Sequence, residues 1–226
     1  MAAPVEFLQT SPYFAGMNAS DIEVIAESFF AKTFNKGDFI TWEGDLGDAL
    51  YFVVSGAVKC FKVSSEGKEQ ILQIVLPGGS FNDVAVFDKG TSPTSTEAMS
   101  LVNCYVIAEQ DMQKFLKDYP KLISNVISVL SERIRHLLEL VEDLSFRQVI
   151  SRIARILLEY ADGAGPKPKL TQQEMAALAG TAREVVGRSL KTLQEDGLIR
   201  MERNRLIIAN KAGLSQMINA HPSDKQ

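Results

Sequence analysis

The sequence predicts an α+β fold in three parts: an N-terminal β-roll, a long dimerisation helix and a C-terminal winged helix-turn-helix. Three observations carry this: short apolar segments between glycine turns over residues 34–108, a heptad repeat after Pro120, and two helix-start patterns separated by a short helix and a glycine turn beyond Leu170. The boundaries fall at 1–118, 119–145 and 146–226.

After a helical stretch around Ala19 to Ala31, the segments Leu50 to Val54, Val58 to Val63 and Ile71 to Leu76 are rich in β-branched and aromatic residues and partly alternate. Asn35-Lys36-Gly37-Asp38, Glu43-Gly44-Asp45, Ser55-Gly56, Ser65-Glu66-Gly67-Lys68 and Pro77-Gly78-Gly79 mark the turns. Short strands at such regular spacing imply a roll or barrel.

From Pro120 the apolar period changes. Ile123, Ile127, Leu130, Ile134, Leu137, Val141 and Leu144 recur at steps of 4, 3, 4, 3, 4 and 3. A narrow a/d seam of this kind favours a partner helix over a globular core, and the expectation is a parallel dimer helix. An antiparallel pair within one chain is the alternative, but no second heptad helix of similar length is visible.

Beyond it, Phe146 to Ala161 reads as a helix, and Gly163-Ala164-Gly165-Pro166 as a break. Thr171-Gln172-Gln173-Glu174 is a capping-box pattern opening a helix that Gly180 ends. Thr181-Ala182-Arg183-Glu184 repeats the pattern, and the helix it opens turns Val185, Val186, Leu190 and Leu193 inward before Glu195-Asp196-Gly197. Two capped helices across a tight glycine turn make a helix-turn-helix. Leu198 to Ala209, with a polar Glu202-Arg203-Asn204-Arg205 tip, reads as the two-stranded wing.

Charge follows this division. Residues 1–145 carry 11 basic and 20 acidic residues, residues 146–226 carry 13 and 8, so a net −9 half adjoins a net +5 half. That asymmetry is expected when only the second half meets phosphate, and double-stranded DNA is the expected partner. In a helix-turn-helix the start of the second helix enters the major groove. Arg183, Glu184 and Arg188 stand there; arginine can fork to guanine O6 and N7, and glutamate can accept from the cytosine amino group. An i,i+4 surface pair between Glu184 and Arg188 is the competing reading. Lys169, Thr171, Thr181, Lys191, Arg203 and Arg205 are expected on the DNA backbone, where they would position without specifying.

Other classes find less support. No P-loop, G-x-S-x-G or H-E-x-x-H pattern is present, and two histidines leave little for acid-base or metal chemistry, which argues against an enzyme. No apolar run reaches the ~18 to 20 residues that span a bilayer, and the N-terminus lacks the basic-then-apolar order of a signal peptide, so no membrane and a cytoplasmic location are expected. Cys60 and Cys104 lack a C-x-x-C spacing and read as buried free thiols.

Lys36-Gly37-Asp38, Glu43-Gly44-Asp45, the run from Leu50 to Lys59, Gly67-Lys68-Glu69, Leu76-Pro77-Gly78 and Ala182-Arg183-Glu184-Val185-Val186-Gly187-Arg188 together resemble the CRP/FNR family of bacterial transcription regulators. The resemblance covers nearly the whole chain. It implies a cyclic-nucleotide-binding-type β-roll, a homodimer, a winged helix that reads palindromic operators, half-sites similar to TGTGA, and contacts with RNA polymerase through surfaces that carry no readable code. A regulatory subunit acting on a protein partner, as related β-rolls do in kinases and channels, is the alternative; the winged helix argues against it.

The effector pocket departs from the family's cyclic-AMP pattern. Asn82-Asp83 stand where cyclic-AMP binders have Gly-Glu for the ribose, Pro93-Thr94 where they have Arg-Ser for the phosphate, and Leu137-Leu138 where a Thr-Ser pair meets adenine. Without the arginine a desolvated phosphate loses its bidentate partner, which argues against cyclic AMP. The iron-sulfur branch uses several N-terminal cysteines, and none precedes Cys60; haem would need axial ligands from His136 or His221, so neither group is supported.

Overall fold

The computed structural model describes residues 5–161, 167–202 and 205–219. These form two compact units, one within Met1–Lys62 and Gln73–His136, the other within Val63–Leu72 and Leu137–Gln226.

The first unit opens with α1 (Val5–Thr10), a 3-10 turn at Pro12–Phe14 and α2 (Ala19–Ala26). Strands β1 (Phe29–Phe34), β2 (Phe39–Thr41), β3 (Ala49–Ser55), β4 (Val58–Val63), β5 (Glu69–Val75) and β6 (Ser80–Phe81) follow, then α3 (Asp83–Asp88), β7 (Ser95–Ala98), β8 (Val102–Ala108), α4 (Glu109–Asp118) and α5 (Pro120–Phe146). Two four-stranded sheets result, in the orders β1-β8-β3-β6 and β2-β7-β4-β5.

β3 shows why this half alternates only partly in sequence. Tyr51 and Val53 join Phe34, Phe81, Val102, Cys104 and Val106 in the core between the sheets. Leu50 and Phe52 point the other way, into a second core with Tyr13, Phe14, Ile25, Met112 and Leu122 from the surrounding helical segments. A strand covered on both faces is apolar at every position, so its period of two disappears. The helix expected to reach Ala31 ends at Ala26, and Phe29–Phe34 instead forms β1, antiparallel to β8 with Phe29 opposite Ile107. Pairing across the sheet overrides local helical pattern there. At the β3–β4 turn Gly56 has φ +85°, and a Cβ would stand 2.3 Å from the Leu101 carbonyl oxygen, so only glycine fits.

α5 runs unbroken for 27 residues. One side inserts Leu122, Asn125 and Val126 into the first unit, while Ile123, Ile127, Ile134, Leu137, Val141 and Leu144 remain exposed. Leu130 is partly buried against the helical core.

The second unit continues with α6 (Val149–Tyr160), α7 (Gln172–Ala179), α8 (Arg183–Glu195), β9 (Ile199–Glu202), β10 (Arg205–Ile208) and α9 (Lys211–Asn219). Phe146 closes α5 and does not open α6; Gln148, in extended conformation, caps the new helix. The expected break at residues 163–166 lies outside the described residues. Ile153, Leu157, Ala176, Val186, Leu193, Leu198, Ile199 and Leu214 form one core. Asp143, buried, binds Arg147 Nε at 2.6 Å and Arg155 Nη1 at 3.0 Å, joining the end of α5 to α6.

Thr171 caps α7 as its sequence predicts: its Oγ1 accepts from Glu174 N at 3.2 Å, and Glu174 Oε2 accepts from Thr171 N at 2.6 Å. Thr171→Ala is expected to cost about 1 kcal/mol of stability by chemical denaturation. The second capping box does not form. Ala182 is the N-cap of α8, so Thr181 lies one residue outside and Glu184 falls at the second helical position, out of reciprocal reach.

Candidate nucleic-acid interface

The turn between α7 and α8 is set by Gly180, whose φ of +61° ends α7 in the left-handed region. Thr181 N donates to Ala176 O at 3.0 Å across it. Lys68 Nζ and Gln70 Nε2 reach the same turn, donating to the carbonyls of Gly180 at 3.4 Å and Leu178 at 3.3 Å. They satisfy orphan C-terminal carbonyls of α7. Sequence reasoning missed both residues, because local pattern shows Lys68 only as part of a polar turn.

α8 seats Val186, Ser189 and Leu193 in the core, which leaves Arg183, Glu184 and Arg188 exposed along its first half. Among the described residues no ion pair or hydrogen bond engages the side chains of these three, so the Glu184–Arg188 surface pair is absent. Glu184 stands in the first turn, where the helix dipole favours an anion. Three charged ends are thereby held out to solvent by a packed helix, able to donate to or accept from a base edge.

The backbone candidates are placed unevenly. Lys169 and Thr171 are exposed beside α7, and Thr181 is half-buried at the turn. Lys191 is exposed one turn beyond Arg188, with a loose 3.7 Å pair to Glu195. Arg203 and the Arg205 side chain lie outside the described residues; the Arg205 backbone pairs with Glu202 in the wing. Arg200, not singled out from sequence, pairs with Glu202 at 2.9 Å on the wing's first strand.

In the first unit the effector-pocket candidates Asn82 and Asp83 have internal partners. Asn82, at φ +66°, donates from Nδ2 to Ala49 O at 2.9 Å and accepts from Ser92 Oγ at 2.6 Å. Asp83 Oδ2 accepts from Tyr13 OH at 2.9 Å and meets Arg133 Nε at 2.7 Å. Arg133 also donates from Nη2 to Ser80 O at 2.6 Å and from Nη1 to Gln73 Oε1 at 3.2 Å. Burial, then the adjacent Asp83 charge, pushes the Tyr13 phenol well above its usual range. Neither Tyr13 nor Arg133 was singled out from sequence, since the network joins positions far apart along the chain. Thr94 is half-buried, and Leu137 and Leu138, in the second unit, are exposed.

Cys60 and Cys104 are free, buried thiols in the core between the sheets. Burial pushes both up to about 12, so at pH 8 only ~10⁻⁴ of either is thiolate. Alkylation by iodoacetamide at pH 8 is expected to proceed orders of magnitude more slowly in the native protein than in urea, read by intact mass; native-state labelling within minutes would contradict this. His136 is exposed on α5, and His221 lies outside the described residues. Among the described residues no group of three or more His, Cys, Asp or Glu could hold a metal ion, and no helix is long and apolar enough to cross a membrane.

Comparison with known proteins agrees with this arrangement. The cyclic nucleotide-binding domain family matches residues 31–119, and the Crp-like helix-turn-helix domain family matches residues 151–217. The chain is similar to the cyclic AMP receptor protein of Thermus thermophilus, 31% identical over 86% of this chain and 90% of that one. It is similar also to a CRP-like cAMP-activated global transcriptional regulator of Mycobacterium tuberculosis, 28% identical over 93% and 98%. In fold it resembles a transcriptional regulator of the CRP/FNR family from Eubacterium rectale, with TM-score 0.79 over 94% of this chain and 100% of that one at 20% identity. FixK2 from Bradyrhizobium japonicum gives TM-score 0.75 over 85% and 98% at 21% identity. With a cyclic-nucleotide-binding domain at one end, a helix-turn-helix whose charged first half is held to solvent at the other, and these relatives, the chain belongs to the CRP/FNR family of DNA-binding transcription regulators.

Proposed function

We propose that the protein binds a pseudo-palindromic operator as a homodimer, reading half-sites similar to TGTGA with Arg183, Glu184 and Arg188. The observation that carries this is the exposed, unpaired state of these three side chains on the packed first half of α8. Lys169, Thr171, Thr181, Lys191, Arg203 and Arg205 act on the backbone and set register. The exposed stripe of Ile123, Ile127, Ile134, Leu137, Val141 and Leu144 on α5 supports the dimer, since a row of large apolar side chains at heptad spacing gains most by facing its own copy. The domains act as 1–118 for sensing, 119–145 for dimerisation and 146–226 for DNA. The protein acts in the cytoplasm by binding and not by catalysis, and meets RNA polymerase at its promoters.

The effector is not cyclic AMP. Pro93-Thr94 offers no guanidinium to a phosphate, and Arg133 is engaged by Asp83 and Ser80. Cyclic AMP as effector is the second reading, favoured by the names of the two relatives above.

Selection of duplexes from a randomised pool by the full-length protein, with and without cyclic AMP, tests these points together. A two-fold symmetric motif with G·C pairs in each half, enriched equally in both arms, is the expected result. Enrichment only with cyclic AMP would overturn the effector assignment, and sequence-blind, salt-sensitive binding in both arms would overturn operator reading.

A further inference from the structure

The DNA-binding unit holds a cavity of about 700 Å³ that opens against its core and shares no lining residue with the base-reading set. That volume is in the range of small-molecule sites. α6, α7, α8 and the wing supply its walls, with Leu157, Met175, Leu190 and Leu206 giving an aliphatic lining. Gly187 contributes a wall without a side chain; a Cβ there would come no nearer than 3.8 Å to Gln172 Oε1. Lys167, Lys169 and Lys191 also line it, with Tyr160, Gln172 and Gln194, and among the described residues no carboxylate does; the Lys167 ammonium donates to the Glu159 carbonyl oxygen at 2.6 Å.

These features select a ligand chemistry. An aliphatic interior edged by lysine ammonium groups is complementary to a chain that is apolar along its length and anionic at one end. Lys191 is available, because its 3.7 Å pair with Glu195 joins two exposed side chains and is worth little. On α8 the residues lining the cavity are Gly187, Leu190, Lys191 and Gln194, a single helical stripe adjacent to that of Glu184 and Arg188.

We propose that this cavity binds an aliphatic carboxylate, its chain along the leucine lining and its head group between Lys169 and Lys191, and that occupancy weakens DNA binding. The second half rests on the reading of Lys169 and Lys191 as phosphate contacts: a carboxylate between them cancels one positive charge on the surface that meets the backbone.

Sodium dodecanoate, below its micellar concentration, is the probe, used with the full-length protein. Calorimetry without DNA is expected to show one saturable site per chain, with dodecanol at least tenfold weaker. Met201→Trp, at a half-exposed wing position lining the cavity, is expected to abolish dodecanoate binding by filling its mouth while leaving operator affinity unchanged. In operator titrations, saturating dodecanoate should weaken the wild-type complex about tenfold and lower the slope of log affinity against log salt by about one, with no effect on Met201→Trp. No saturable binding, equal binding of dodecanol, or unaltered binding by Met201→Trp would each overturn the site. Dodecanoate binding with unchanged operator affinity would overturn the competition alone. A protein that binds dodecanoate but selects no operator would overturn the DNA reading and leave the cavity assignment standing.

Discussion

Arg133→Met is expected to destabilise the protein by about 3 to 5 kcal/mol, the largest single effect predicted for this chain. Asp83 is nearly fully buried, with 4% of its side chain exposed, and Arg133 is the cation beside it, at 2.7 Å. Methionine preserves much of the aliphatic stem but leaves a carboxylate with, among the described residues, only Tyr13 OH and the Val84 amide as donors. The same change removes donors from Ser80 O and Gln73 Oε1. Urea unfolding at fixed protein concentration measures the effect. The double variant Asp83→Leu/Arg133→Met should recover a large part of the loss, since removing both charges costs less than stranding one. A loss below about 1 kcal/mol in the single variant would mean that water screens the pair.

Arg188→Ala is expected to weaken operator binding by about 1 to 3 kcal/mol and to relax preference at one G·C pair in each half-site. The side chain is exposed, has no internal partner among the described residues, and stands on a helix pinned by Val186 and Leu193. Folding stability should therefore barely change, because no packed atom is removed. Lys191→Ala supplies the contrast: it should weaken all duplexes alike and reduce the salt slope by about one. Repeating the duplex selection with both variants separates the roles. An Arg188→Ala protein that enriches the wild-type motif unchanged would remove Arg188 from base reading.

Legibility in the sequence followed the range of the interaction. Thr171 and Glu174 are three residues apart, and the box between them forms as written. Thr181 and Glu184 have the same spacing, yet no box forms, because the turn at Gly180 starts α8 one residue later than the pattern implies. The strand Phe29–Phe34 reads locally as the end of a helix, and its partner β8 is some seventy residues away. Among the candidate side chains, exposure of Arg183, Glu184 and Arg188 followed from which α8 positions are apolar. The partners of Asp83 had no local signal at all, since Tyr13 and Arg133 lie far from it along the chain, one on each side.

The sequence by itself determined the α+β class, the order of roll, long helix and helix-turn-helix, and the charge division between halves. These depend on period, capping residues and composition, which act over one or two turns of chain. Tertiary structure alone decided that β3 is buried on both faces, that Asn82 and Asp83 are held by internal partners, and that Lys68 and Gln70 close the α7–α8 turn. It alone decided, too, that a cavity opens beside α8. Each of these is a meeting of residues distant in sequence, and the free energy that selects it comes from desolvating and pairing groups that only the folded chain brings into contact.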